Sequence, residues 1–342
     1  MENKKDVLAA VNFLILAALI FFTGYLWRRV DDLEKARPMP YPSRIAAPSA
    51  ADILPRPNPQ VTPGVLGSDW EAANMNAPFG VRREVVLLAF QDKLWVIGGL
   101  SQQDVWCSGD GKAWECAAPN AGFTPGVNTG AVFKGKMWVM SDGGVWSSAD
   151  GKNWSKAADP AYGPRRNASL TVFNGQLWMI GGGNSMSNDV WVSPDGVNWN
   201  CAVKNAPFPP RRGHISFVFD DKLWVMGGFG GDWSNLLNDC WTSTNGMDWQ
   251  QGQAPPYTPR VHFNAVVFQG KIWVVAGDAG NFMYLNDVWS SADGKNWEKV
   301  TGAAPFSQRG FHRCAVFKDR IWMATGDRAD VWYTPRVSAF WH

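Results

Sequence analysis

Cysteine and histidine are scarce in this chain, with five and four among 342 residues. No Cys-x-x-Cys or His-x-x-x-His spacing occurs, which argues against a metal centre, and no cofactor is expected. Charge is thin as well. Lys and Arg number 32 against 30 Asp and Glu, and the net +2 is spread without any Lys/Arg-rich run. Nucleic-acid binders carry such runs, so nucleic acid is not an expected partner.

What the chain has in excess is tryptophan, 21 residues, within a hydrophobic content of 46% that is ample for a large core. The tryptophans recur in register. A Phe-x-x-x-Leu/Ile/Met-Trp signature places Trp95, Trp138, Trp178, Trp224, Trp273 and Trp322. A second position carries Trp106, Trp146, Trp191, Trp241, Trp289 and Trp332, five of them two residues after Asp104, Asp189, Asp239, Asp287 or Asp330. An Asp/Asn-Gly-x-x-Trp turn gives Trp114, Trp154, Trp199, Trp249 and Trp297. Eighteen of the tryptophans fall on these positions, counting Trp70, so their first role is core packing.

Around Trp273 the short apolar runs read as four strands: Phe263 to Phe268, Lys271 to Val275, Asp287 to Ser290, and the Trp297 segment. Gly270 and Asp293-Gly294 supply the turns. Repeats of about 40 to 50 residues built this way are the blades of a β-propeller. The sixth repeat stops after Trp332 without a fourth strand, and Gly67-Ser-Asp-Trp70 looks like the missing piece. The expected fold is all-β: a six-bladed propeller of four-stranded blades over residues 67–342, closed by its own N-terminal strand and preceded by one transmembrane helix.

Residues 1–6 form a short tail, and Val7 to Trp27 are 21 residues without a charge. At about 1.5 Å per residue this stretch spans about 31 Å, the thickness of a bilayer core. No small-x-small cleavage site precedes Arg28, so an uncleaved anchor is expected in preference to a signal peptide. Lys4 and Lys5 on one side face Arg28, Arg29, Lys35 and Arg37 on the other, which leaves orientation open. An exported propeller, periplasmic in a bacterium, is the commoner arrangement for such an anchor. Residues 28–66 read as a charged and Pro-rich spacer. Ala10, Ala17 and Gly24 recur every seven residues and would form a stripe of small side chains for docking another membrane helix.

The Arg-x-x-His-type start of the first strand, the pairs Gly98-Gly99, Gly181-Gly182 and Gly227-Gly228, and the Asn286-Asp-Val-Trp289 strand resemble kelch repeats of the galactose-oxidase-like type. Turns such as Ser148-Ala-Asp-Gly-Lys-Asn-Trp154 and Ser291-Ala-Asp-Gly-Lys-Asn-Trp297 are similar to the Asp-boxes of sialidase-type propellers, with one residue fewer between Asp and Gly. The resemblance implies the fold and is almost silent on activity. The double glycine is replaced in three blades, leaving Asp142, Asp278 and Asp327 as loop caps or rim groups.

Arg82, Arg165, Arg211, Arg260 and Arg309 recur at one position, with Pro125 in the remaining repeat. They read either as ties between adjacent blades through carbonyl or carboxylate bonds, or as a rim of guanidinium forks for anionic groups. A copper-radical oxidase of the resembled family needs paired His and Tyr ligands, for which four His and six scattered Tyr are a poor supply. His214 and His312 take equivalent positions and His262 lies one residue earlier, as packed groups or a general base. Cys107 and Cys116 flank one turn, where a cross-strand disulfide is conceivable, while Cys201, Cys240 and Cys314 read as small buried hydrophobes. The expectation is a membrane-anchored, non-catalytic binding or scaffold subunit whose partners are other membrane protein subunits, met through the anchor and a propeller face. The alternative is a propeller enzyme or lectin acting on anionic sugars.

Overall fold

The computed structural model describes residues 66–159 and 162–336. The expected anchor, its stripe of Ala10, Ala17 and Gly24, and nearly all of the spacer lie outside these residues. Among the described residues no helix is long and apolar enough to cross a membrane.

Six four-stranded antiparallel sheets follow one another as blades. The innermost strands are Val86–Phe90, Thr129–Phe133, Ser169–Phe173, Ile215–Phe219, Asn264–Phe268 and His312–Phe317. Each hairpin of first and second strand is pinned by its signature residues, because the Trp indole donates to the Phe carbonyl five residues earlier. Trp95 to Phe90 is 2.9 Å and Trp273 to Phe268 is 3.0 Å. Buried apolar clusters fill the gaps between neighbouring blades, as where Trp95 and Ile97 meet Met137 and Val139.

At one end of the ring lie the turns between third and outer strands. In each, a Ser hydroxyl and an Asp or Asn side chain take the backbone N–H groups of the turn. Lys152 N and Asn153 N both donate to Asp150 Oδ1, at 2.9 and 2.8 Å. The turn glycine sits flat on the second-strand Trp of the preceding blade, Gly111 on Trp322 and Gly294 on Trp224, with φ of 73° and 72°. A methyl group there would overlap the indole, so close approach and left-handed backbone together demand glycine.

Ring closure follows the expected route with a shift of four residues. Gly67 rests on Trp273 and Trp70 Nε1 donates to the Gly67 carbonyl at 3.0 Å, so Gly67–Trp70 is the turn of blade six. The closing strand itself is Glu71–Asn74, paired antiparallel with Val331–Tyr333. The outer strand of blade five likewise begins after Trp297, at Glu298–Thr301.

All five cysteines are free. Cys107 is in register with Glu115 and Cys116 with Trp106, so the two thiols leave opposite faces of the hairpin and the conceived disulfide does not form. Cys240 and Cys314 are buried as expected, whereas Cys201 is exposed, because an outer strand has no neighbour on its far side.

Candidate functional site

The opposite end of the ring, the crossover face, carries the loops between second and third strands and the crossovers from blade to blade. Here the five repeated arginines are ties. Arg260 donates to the carbonyls of Thr258 at 3.0 Å and Ala276 at 2.8 Å, and grips Asp287 with both arms at 2.8 and 2.9 Å. Its guanidinium also lies 4.7 Å over the Tyr257 ring. Arg82, Arg165, Arg211 and Arg309 grip Asp104, Asp189, Asp239 and Asp330 in the same way. Each Asp also accepts the indole N–H of its own third-strand Trp, as Asp287 does from Trp289 at 2.8 Å. Burial works against the Asp287 carboxylate, yet the Arg260 bonds and charge hold its pKa below the usual value. The forks are filled by protein, which leaves no open guanidinium for the alternative reading of an anion rim. Carbonyl and carboxylate ties are what the geometry shows, but each lies within one blade and its incoming crossover instead of joining adjacent blades, because the Asp partner stands on the third strand of the same blade.

Two residues beyond each Arg the side chains differ from blade to blade: Glu84, Asn167, Gly213, His262 and Phe311. All five have left-handed backbone, with φ between 51° and 62°. Four of them are joined in a collar around the channel mouth. Gly213 N donates to Asn167 O at 2.8 Å, His262 N to Gly213 O at 3.0 Å, and Phe311 N to His262 O at 2.9 Å. Left-handed conformations at non-glycine residues are uncommon and gather where function requires them.

Inside the collar is a cavity of about 230 Å³ lined by the first turns of all six inner strands. His214 at its wall and His312 behind it in blade six are packed groups, bonded to Ser169 Oγ at 2.9 Å and to the Val275 carbonyl at 3.1 Å. His262 differs. It is 8% exposed, stacks on Phe311 at 3.9 Å between centroids, and has no protein partner for either ring nitrogen. Burial, helped by the charges of Arg313, Arg212 and Arg83, brings its pKa down to about 3, so the ring is neutral. A neutral, buried imidazole near guanidinium groups is a hydrogen-bonding group at physiological pH.

The three aspartates left open by the sequence go to separate tasks. Asp327 pairs with Arg83, and Asp142 lies 3.4 Å from Arg166. Asp278 is buried and caps its loop by accepting Gly280 N at 2.8 Å. Burial raises its pKa.

The rim is lopsided. Long loops of blades four and five expose Trp233, Phe282 and Met283. Gly280 packs against the Trp233 backbone, so the two loops touch. Trp233 packs tilted against Phe229 with centroids 4.4 Å apart, and the Arg212 guanidinium covers Phe229 at 5.0 Å. In the sequence Trp233 stands off the repeat register, and that misfit is the only trace the patch leaves there. Among the described residues no group of His, Cys, Asp and Glu is arranged to hold a metal ion.

Comparison with known proteins agrees with this architecture. The KLHDC2/KLHL20/DRC7 Kelch-repeats domain matches residues 130–326, more than half of the chain. The DUF6242 beta propeller domain matches residues 68–164. A curated relative, Tip elongation aberrant protein 1 of Schizosaccharomyces pombe, is 48% identical over 44 residues, which is 13% of this chain and 4% of that protein. The chain thus spans a small fraction of the length of that relative. By its repeats, its blades and the length of the first match, the chain belongs to the kelch-repeat family of β-propellers.

Proposed function

We propose that this propeller is a non-catalytic binding subunit, held at a membrane by residues 7–27, that engages another protein subunit through the blade-four and blade-five side of its crossover face. The observation that carries the reading is the exposed cluster of Trp233, Phe282 and Met283 beside Arg212. Aromatic and Met side chains with an Arg are the residues enriched at protein interfaces. Kelch propellers commonly mediate protein binding, and the repeated arginines that an enzyme or lectin for anionic sugars would use are engaged by carboxylates. The described chain enters at the turn face through Gly67. A partner of matching chemistry presents apolar side chains next to an acid.

The test is proximity crosslinking in membranes from a photoreactive residue placed at position 233 or 282, against one at Lys112 on the turn face. A discrete partner crosslinked from the first two is expected, with the crosslink from position 282 lost in Trp233→Asp while melting is unchanged. Equal labelling from all three positions would overturn the assignment of the face. For the anchor, Ala17→Leu with Gly24→Leu should reduce copurification of that partner while leaving the chain in the membrane fraction.

A further inference from the structure

We propose that the channel mouth is a binding site for a small oxyanion, a carboxylate or a phosphate, held between Arg313 and His262. Among the described residues around the cavity, Arg313 is the only one with a formal charge, and no carboxylate lines it. The neutral polar groups there include Asn128, Asn167 and Asn264, whose amides can donate to an anion.

Arg313 is held by carbonyl groups. Its guanidinium reaches from blade six to the Asn128 carbonyl of blade two at 3.0 Å and touches the His312 carbonyl at 3.1 Å. Carbonyls satisfy donors but do not neutralise a charge, and the guanidinium of half-buried Arg313 is only partly hydrated. Glu84, the acid whose charge acts on Arg313, has its carboxylate 3.9 Å from Arg166.

His262 is over nine-tenths buried, with neither nitrogen partnered and its backbone left-handed. A neutral imidazole always carries one N–H, and burying that donor unmet is unfavourable. An oxyanion accepts from His262 and from the Arg313 fork together, and its charge offsets that of Arg313. Water answers the first need only.

Full-length protein in mild detergent, in a buffer free of both anions, is titrated calorimetrically with inorganic phosphate and, separately, with acetate. One saturable site is expected for at least one of them, together with a rise in melting temperature. Phosphate alone would mark the site as one for a dianion, acetate alone as one for a carboxylate, and either supports the proposal. His262→Asn keeps a residue tolerant of left-handed backbone and should weaken binding about tenfold. Arg313→Met should abolish it. Should that variant not fold, Arg313→Lys keeps the charge, loses the planar fork and should also weaken binding about tenfold. No saturable binding of either anion at millimolar concentration, or unchanged affinity in the His262 and Arg313 variants, overturns the proposal.

Discussion

Blade five and blade two are built on one repeat and differ in how the crossover face is held. In blade five Arg260 and Asp287 form the buried pair, and Asn286 Nδ2 clamps the outgoing crossover at the Ala304 carbonyl, 3.0 Å away. The corresponding positions of blade two are Pro125, Gly144 and Gly143. Its Trp146 indole nitrogen is buried without an acceptor, where Trp289 has Asp287. A smaller device closes this blade: Thr124 and Ser141 hydroxyls at 2.8 Å, with Gly143 N donating to Thr124 at 2.8 Å. The clamp is absent as a set, since an Arg without its Asp would be a buried unpaired charge. The turn face shows no such difference, because Gly151 rests on Trp95 as Gly294 rests on Trp224. One end of the ring is common to both blades and the other end is free to vary.

The sharpest way to break this comparison is to remove the clamp where it exists. Arg260→Ala leaves Asp287 buried and unpaired and should destabilise the protein by about 3–5 kcal/mol in chemical denaturation. Thr124→Val, the nearest equivalent in blade two, should cost about 1 kcal/mol, the value of an ordinary hydrogen bond. Equal losses would mean that the blades are held alike. At the turn face the two should agree. Gly294→Ala and Gly151→Ala each force a left-handed alanine into an indole, at about 2–4 kcal/mol, and melting temperatures should fall together.

A third test uses pH, because blades four to six carry buried histidines and blade two carries none. Burial holds His214 and His262 at about 3, while an unfolded imidazole titrates near its ordinary value of 6.5. Between those values the unfolded chain binds protons that the folded chain does not, so stability falls as pH drops from about 6.5 towards about 3. His214→Asn should flatten that fall by at most about 1.4 kcal/mol per pH unit, read from denaturation midpoints across the window. The smallest effect belongs to the turns. The Asn198 N–H, against some burial and helped by the Asn198 side chain and the Val197 N–H, brings the Asp195 pKa down to about 2. This stability is present above the ordinary carboxylate value and is lost as pH falls towards about 2. Asp195→Ala should cost about 1 kcal/mol, limited by exposure to solvent.

The blades were legible because their tryptophans do one packing job at fixed spacing, so Trp95 and Trp273 announce the same hairpin. Closure was legible for the same reason, since Trp70 is a turn tryptophan without a blade. The Arg partners were partly legible: the crossover Arg and the Asp two before the third-strand Trp occur together in five repeats and fail together in blade two. That joint failure is the mark the pair leaves in the sequence. His262 was harder to read. Its neighbours Arg313 and Phe311 belong to another blade, and contacts between blades leave no spacing along the chain. The aromatic loop patch is likewise set by loops that follow no repeat.

Closure of the ring has a consequence for how the protein is made. The Glu71 carboxylate accepts the Tyr333 hydroxyl across 262 residues of chain. Pairing at such separation is slow, because the loop must close before any contact rewards it. During synthesis the closing strand is among the first propeller segments to emerge and must wait for nearly the last. Until Val331–Tyr333 arrives, the ribosome holds five blades with an open seam on each side, and unpaired sheet and apolar faces of this kind invite association with other chains. The vulnerable species is therefore the nascent ring, and cellular yield should depend on how fast the final repeat is translated.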